Sequence, residues 1–226
     1  MALATYQGLC LDAVDAGAQT RFWAEVLRLE PHRRDDGVGE LRTPDGRVAV
    51  WVNTVPEPKT VKNRIHLDVN AESVRQALDV GATTVVEHER WTTLADPDGQ
   101  EFCVFVREEP IDQRLYELVW NCAEGPEASH AQAAWWQGVL GGEVVDDDSG
   151  YSWLEQIPSA PFYSMDFVGV PEPKTTKNRV HLDVTTDNVD ALIAHGARLL
   201  RAPDDEIHWH VLADPEGNEF CAFTDR

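Results

Sequence analysis

Four residues with reactive side chains stand at repeated positions in this chain. His66 and His181 lie in one pair of matching segments, and Cys103 and Cys221 lie in a second pair. A histidine changes its charge near neutral pH and binds divalent metals, whereas a cysteine with a lowered pKa is a nucleophile. These residue types indicate metal binding or thiol chemistry, with a hydrogen-bonded structural histidine as the alternative.

The matching segments show that the chain is a duplication. Residues 55–69 and 170–184 are identical at thirteen of fifteen positions and contain all four lysines. Residues 94–105 match residues 212–223 at nine of twelve positions. The polar stretch 107–114 separates the copies, so we predict two domains, residues 1–109 and 115–226, each large enough for its own core.

The elements that carry these residues follow the same order in both halves. A strand-like opening leads into a helix with apolar residues at helical spacing, and short strands follow. In the strand at 64–69, Ile65 and Leu67 point to one face while Arg64 and His66 point to the other. A second helix and short strands close each half. The pattern predicts an α+β protein in which each half contains two βαβββ units.

Charge and composition exclude several classes of partner. The formal net charge of −21 opposes nucleic acid and anionic lipid. No apolar run approaches the roughly 20 residues of a membrane-spanning helix, and the first residues lack the pattern of a secretory signal. We therefore expect a soluble cytoplasmic protein. Its four cysteines include no Cys-x-x-Cys, so free thiols are predicted.

Three motifs together resemble a known family. They are a helix containing Phe22 and Trp23, a Lys-x-x-Asn-Arg-x-His-Leu-Asp strand, and a closing Asp-Pro-x-Gly-x-Glu-Phe-Cys strand. The combination resembles the glyoxalase-like domains of the vicinal oxygen chelate superfamily, which includes glyoxalase I, extradiol dioxygenases and bleomycin-resistance proteins. The resemblance implies that two βαβββ units form a curved mixed sheet around a small-molecule cavity. It also implies a divalent metal in the enzymes and two domains packed as a pseudo-dimer.

The resemblance locates the family's metal-ligand positions in both halves. In the first half these positions hold Gly8, Trp51, His66 and Cys103. In the second half they hold Glu117, Asp166, His181 and Cys221. Both cysteines replace an expected glutamate. Only the second set offers four donors, so it is the candidate metal site, and its mixture of thiolate, imidazole and carboxylate favours zinc.

The resemblance also places the histidine strand parallel to the closing strand, so residues at matching heights should face each other. The expected pairs are Arg64 with Glu101, His66 with Cys103, Arg179 with Glu219, and His181 with Cys221. With Trp91 and Trp209 as surfaces for a planar ligand, these are the candidate ligand-binding residues. An Arg–Glu pair could equally hold strand register, and a histidine could lower the pKa of its cysteine neighbour.

The lysines allow two interpretations. Lys59 and Lys62 could form a structural joint with nearby carboxylates, or a positive lip that attracts an anionic ligand. The sequence favours a small-molecule-binding protein with one cavity per domain. The alternatives are a metal-dependent lyase, isomerase or dioxygenase, and a ligand-sequestering protein of the resistance type.

Overall fold

The computed structural model describes residues 2–224, which form four βαβββ units. The first unit contains β1 (Thr5–Ala13), α1 (Ala16–Leu27), β2 (Glu30–Arg33), β3 (Gly39–Arg42) and β4 (Val48–Thr54). The second contains β5 (Ile65–Ala71), α2 (Arg75–Asp79), β6 (Thr83–Glu87), β7 (Thr92–Ala95) and β8 (Glu101–Val106). The third contains β9 (Leu115–Cys122), α3 (Pro126–Leu140), β10 (Glu143–Asp146), β11 (Ser152–Glu155) and β12 (Ser164–Gly169). The fourth contains β13 (Val180–Thr185), α4 (Val189–Ala194), β14 (Arg198–Arg201), β15 (His210–Ala213) and β16 (Glu219–Phe223).

The units pair into two eight-stranded sheets. Sheet 1 has the order β14-β15-β16-β13-β1-β4-β3-β2, and sheet 2 has the order β10-β11-β12-β9-β5-β8-β7-β6. The predicted α+β class and βαβββ units are confirmed. However, each sheet combines one unit from the first half with one from the second. The joints are the antiparallel pairs β1 with β13 and β5 with β9.

The helices and the apolar faces of both sheets form the core. On β5, Ile65 and Leu67 are buried on the face that meets the helices, as their alternation predicts. Helix α1 extends from the first unit to sheet 2, where the rings of Trp23 and Phe102 are 5.0 Å apart. Helix α3 makes the equivalent contact with sheet 1 through Trp136 and Phe220, at 5.4 Å. The two sheets therefore share one continuous core.

The other face of each sheet, which we call its open face, carries polar residues. His66 and Asp68 alternate with the core residues of β5, and His181 and Asp183 do the same on β13. Asp68 is only 5% exposed, so its neighbours on this face cover it. Within residues 2–224, no helix has the length and apolar character needed to cross a membrane.

Candidate functional site

The open face of sheet 2 collects residues from both halves of the chain. His66 and Asp166 lie in one row across the sheet, on either side of Val119. Asp68 is the register partner of Glu117 on one side and of Cys103 on the other. We call His66, Asp68, Cys103, Glu117 and Asp166 the sheet-2 site. Ligand atoms of its first three residues lie within 4.8 Å of one another.

Two carboxyl groups of the sheet-2 site, those of Glu117 and Asp166, have raised pKa values. Burial, followed by the charge of Asp166, raises the pKa of Glu117 to about 8. Burial also raises the pKa of Asp166 to about 7. The Ser164 hydroxyl donates a 2.5 Å hydrogen bond to this carboxylate, which lowers the pKa but does not offset burial. Among the described residues, neither carboxylate forms an ion pair with Lys or Arg. Both carboxyl groups are therefore largely buried without an ion-pair partner in the described structure.

The thiol of Cys103 is not activated by its histidine neighbour. Burial and the nearby Asp68 carboxylate raise the pKa of Cys103 to about 12. This rise in pKa contradicts the hypothesis that His66 lowers the pKa of Cys103. Only the thiolate is nucleophilic, so the buried thiol is a poor nucleophile at neutral pH. The register also differs from expectation, since Cys103 is opposite Asp68 instead of His66.

The four-residue metal site predicted within the second half does not form. Glu117 and Asp166 lie in sheet 2, whereas His181 and Cys221 lie in sheet 1. The physical reason is the pairing of units across the halves. This pairing brings Glu117 and Asp166 into the same sheet as His66 and Cys103.

The open face of sheet 1 has a different composition at the equivalent positions. Trp51 is the register partner of Cys10, which in turn is opposite His181. A β-carbon at Gly8 would lie 3.2 Å from Trp51 Nε1, so glycine makes room for the indole. The Cys10 thiol donates a 3.3 Å hydrogen bond to Asp183. We call Cys10, His181, Asp183 and Cys221 the sheet-1 site.

The predicted arginine–glutamate pairs are absent from the described structure. Glu101 instead pairs with Lys59 at 2.7 Å, and Glu219 pairs with Lys174 at 2.8 Å. The arginines extend to the opposite half. Arg64 donates to the backbone oxygen of Glu172, and Arg179 donates to that of Glu57, both at 2.5 Å.

The two lysine segments meet around a cavity of about 290 Å³ that contains residues of both halves in its wall. Lys177 pairs with Asp12 there. Of the four lysines, Lys62 alone has no hydrogen bond or ion pair within residues 2–224. Three lysines thus have carboxylate partners, which is what a structural joint requires.

An aromatic row runs beside the sheet-2 site. Trp91 stacks on Phe105 at 5.8 Å, and Phe105 contacts Tyr116, which stacks on Tyr163 at 6.1 Å. The Arg107 guanidinium lies 4.7 Å from the Tyr116 ring centre. A cavity of about 280 Å³ opens between Arg107, Tyr116 and Tyr163. In sheet 1, Trp209 has only Phe223 as an aromatic neighbour in the described structure, at 5.3 Å.

Three site residues, Asp68, Asp183 and Cys10, were missed as ligand candidates in the sequence. The signal for the aspartates was present, because each is two residues beyond a histidine on the same face of its strand. Cys10 had no such signal, since its place beside His181 depends on strand pairing between the first and fourth units.

Comparison with known proteins shows a family and a fold. The model of a glyoxalase-like domain matches twice, at residues 8–105 and 122–223. Glyoxalase I from Zea mays is 14% identical with a TM-score of 0.69, over 97% of this chain and 92% of that one. The cppA protein from Streptococcus pneumoniae is 11% identical with a TM-score of 0.52, over 98% of this chain and 100% of that one. No curated protein sequence matches. At these identities the structural similarities establish the fold alone.

Proposed function

Because the chain belongs to the family of glyoxalase-like domains, we propose that it binds a small molecule together with a divalent cation at the sheet-2 site. One observation carries this proposal. The open face of sheet 2 gathers one imidazole and three buried or half-buried carboxyl groups without a paired Lys or Arg in the described structure. Such a group of donors suits a cation that prefers oxygen and nitrogen ligands.

The residues of the sheet-2 site fit a bound cation. Asp68 Oδ1 is buried and has no hydrogen-bond donor within the described chain, although His66 Nε2 is 3.3 Å away. A buried carboxylate oxygen without a partner is costly, and a cation next to His66 would remove that cost. Glu117 and Asp166, one strand and two strands away, would complete the set of ligands. A bound cation acts as a Lewis acid on substrate oxygens.

The chain's own residues define the kind of small molecule. Tyr116 belongs to the aromatic row and lines the neighbouring cavity, so a planar group bound in this cavity would stack on its ring. Arg107 at the edge of this cavity would bind a polar substituent. An enzyme of the lyase, isomerase or dioxygenase type needs the cation, whereas a ligand-sequestering protein needs only the aromatic row.

The proposal includes the assembly of the protein. In a dimer of single-domain relatives, units of two chains could join across the interface, and here β5 joins β9 within one chain. We therefore take the two halves to imitate such a dimer, in a cytoplasmic protein.

A titration with Mn²⁺ tests the function. EDTA-treated protein should bind Mn²⁺ at one site in electron paramagnetic resonance, and His66→Gln should weaken this binding by more than about tenfold. Glu25→Gln, an exposed change on α1, is the control. Equal Mn²⁺ affinity in the wild type and His66→Gln would exclude the site. Screening planar oxygen-rich compounds with and without Mn²⁺ then separates the enzyme from the sequestering protein.

A further inference from the structure

The cavity of about 290 Å³ between the two lysine segments, which we call the junction cavity, has a wall rich in cations. The wall contains five cationic side chains and two carboxylates, and it shares no residue with the sheet-2 site or the sheet-1 site. The cations are Lys59, Lys62, Arg64, Lys177 and Arg179. Ligand pockets usually have volumes of about 300–1,000 Å³, so the size of the junction cavity suits a small metabolite.

The two copies of the lysine segment differ in how their second lysine is neutralised. Lys177 forms an ion pair with Asp12, one of the two carboxylates in the wall. Asp12 and Asn121 are equivalent, since each donates its backbone N–H at 2.7 Å to the carbonyl oxygen of the arginine that precedes the neighbouring strand. Asparagine at this position offers no charge, and Lys62 has no hydrogen bond or ion pair within residues 2–224.

The arginines of the two copies differ in the same direction. Arg179 Nη2 lies 2.9 Å from Asp98 Oδ2, whereas Arg64 Nη2 lies 3.9 Å from the equivalent carboxylate, that of Glu216. Both oxygens of Glu216 already accept a hydrogen bond from a backbone N–H group at 2.9 Å. In the described structure, Lys62 and Arg64 are therefore the two least neutralised cations of the cavity wall.

An anion with at least two oxygen acceptors fits these two cations. The Nε and Nη2 groups of an arginine lie on one edge of the guanidinium and can donate in parallel to two oxygens of a carboxylate or a phosphate. In Arg64 the Nη1 group donates to the backbone of Glu172, but Nε is buried without an acceptor among the described residues. Buried donors are rarely left unpaired in native proteins, and an oxygen of the anion would accept from this one. Lys62 would supply the second positive charge.

The acidic character of the whole chain does not prevent such binding. The formal net charge is −21, but at physiological salt the effect of an exposed charge is screened over about 8 Å. The cations of the cavity wall are the charges closest to a bound anion, so they dominate its binding energy. A polyanion would extend beyond the cavity and meet the acidic surface, which restricts the ligand to a small anion.

We propose that the junction cavity binds a small molecule that carries a carboxylate or a phosphate group, with Lys62 and Arg64 as its main binding residues. Because the wall contains residues of both lysine segments, the bound anion would bridge the two halves of the chain. The asymmetry between the copies assigns the anion to the side of the first segment. This proposal does not rest on cation binding at the sheet-2 site.

Calorimetric titration tests the anion site with inorganic phosphate in one arm and malonate in the other. The protein is used metal-free and after removal of EDTA, because EDTA is itself a polycarboxylate. Lys62→Ala should weaken binding at least ~10-fold, since it removes a charged donor to the ligand. Asn121→Asp should weaken binding similarly, because it gives Lys62 the carboxylate that Asp12 gives to Lys177. Arg75→Gln is the control, since it removes one exposed positive charge outside the cavity.

Binding of phosphate alone would assign the site to a phosphate group, binding of malonate alone would assign it to a carboxylate, and binding of both would support a general oxyanion site. The proposal is overturned if neither anion binds at millimolar concentration, or if the wild type and Lys62→Ala bind with equal affinity. An equal loss in Arg75→Gln and Lys62→Ala would also overturn it, because the effect would then come from overall charge. If Asn121→Asp does not fold, Lys62→Arg replaces it and should retain more affinity than Lys62→Ala.

Discussion

Replacing Glu117 with glutamine should alter how stability depends on pH. The pKa of this carboxyl group rises from 4.5 to about 8 in the folded protein. A raised pKa means that the native state binds the proton more tightly than the unfolded chain, so stability is fully present below pH 4.5 and is lost as the pH rises through about 8. One pKa unit corresponds to about 1.4 kcal/mol, which sets an upper limit of about 5 kcal/mol.

The measurable difference should be smaller than this limit, because Glu117 and Asp166 repel each other and share the effect. We expect metal-free wild-type protein to lose about 2–3 kcal/mol more than Glu117→Gln between pH 5 and pH 9. The assay is urea unfolding in EDTA at both pH values, with Glu25→Gln as an exposed control. If the wild type and Glu117→Gln lost the same free energy of unfolding between the two pH values, the burial of Glu117 without an ion-pair partner would be refuted.

Three further outcomes follow from the packing and the ion pairs. Phe102→Ala should lower the free energy of unfolding by about 3–5 kcal/mol, because Phe102 contacts both Phe22 and Trp23 of α1; urea unfolding measures this, and an effect below 1 kcal/mol would contradict the shared core. Lys59→Ala should cost about 1 kcal/mol through the loss of its pair with Glu101, whereas Lys62→Ala should stay within about 0.5 kcal/mol; equal costs in thermal unfolding would argue against the structural joint. Cys103 should resist iodoacetamide at neutral pH in the native protein and react after unfolding, since its pKa is about 12; mass spectrometry of the alkylated peptides would reveal native modification if this is wrong.

The order of elements could be predicted from the sequence because hydrophobic periodicity is a local property. Alternation along residues 64–69 indicates the strand that became β5, and it correctly assigns His66 and Asp68 to the face opposite Ile65 and Leu67. The duplication then transfers the same assignment to β13. His66 and His181 were therefore assigned to the correct strands and to the correct face of each strand.

The grouping of those residues could not be predicted in the same way. Four similar βαβββ units can pair with the neighbour in sequence or with a unit of the other half, and both arrangements bury similar apolar faces. The observed arrangement includes contacts such as Arg64 with the backbone of Glu172, which join residues far apart in sequence. The register between paired strands could not be predicted from the sequence either. Nothing local specifies that Cys103 should be opposite Asp68, and Glu101 finds Lys59 instead of Arg64.

Divergence of the first and third units explains how a duplicated chain acquired two unlike sites. If units consecutive in sequence had paired, the first and second units would form one site, and the third and fourth units would form the other. Each site would then contain one pair of strands that carries a histidine and a cysteine. That feature survives in both sheets, because the second and fourth units provide His66 with Cys103 and His181 with Cys221. The difference comes from the first and third units. The first provides Cys10 and Trp51, and the third provides carboxyl groups, so divergence of two units was sufficient to make one site rich in sulfur and the other rich in oxygen.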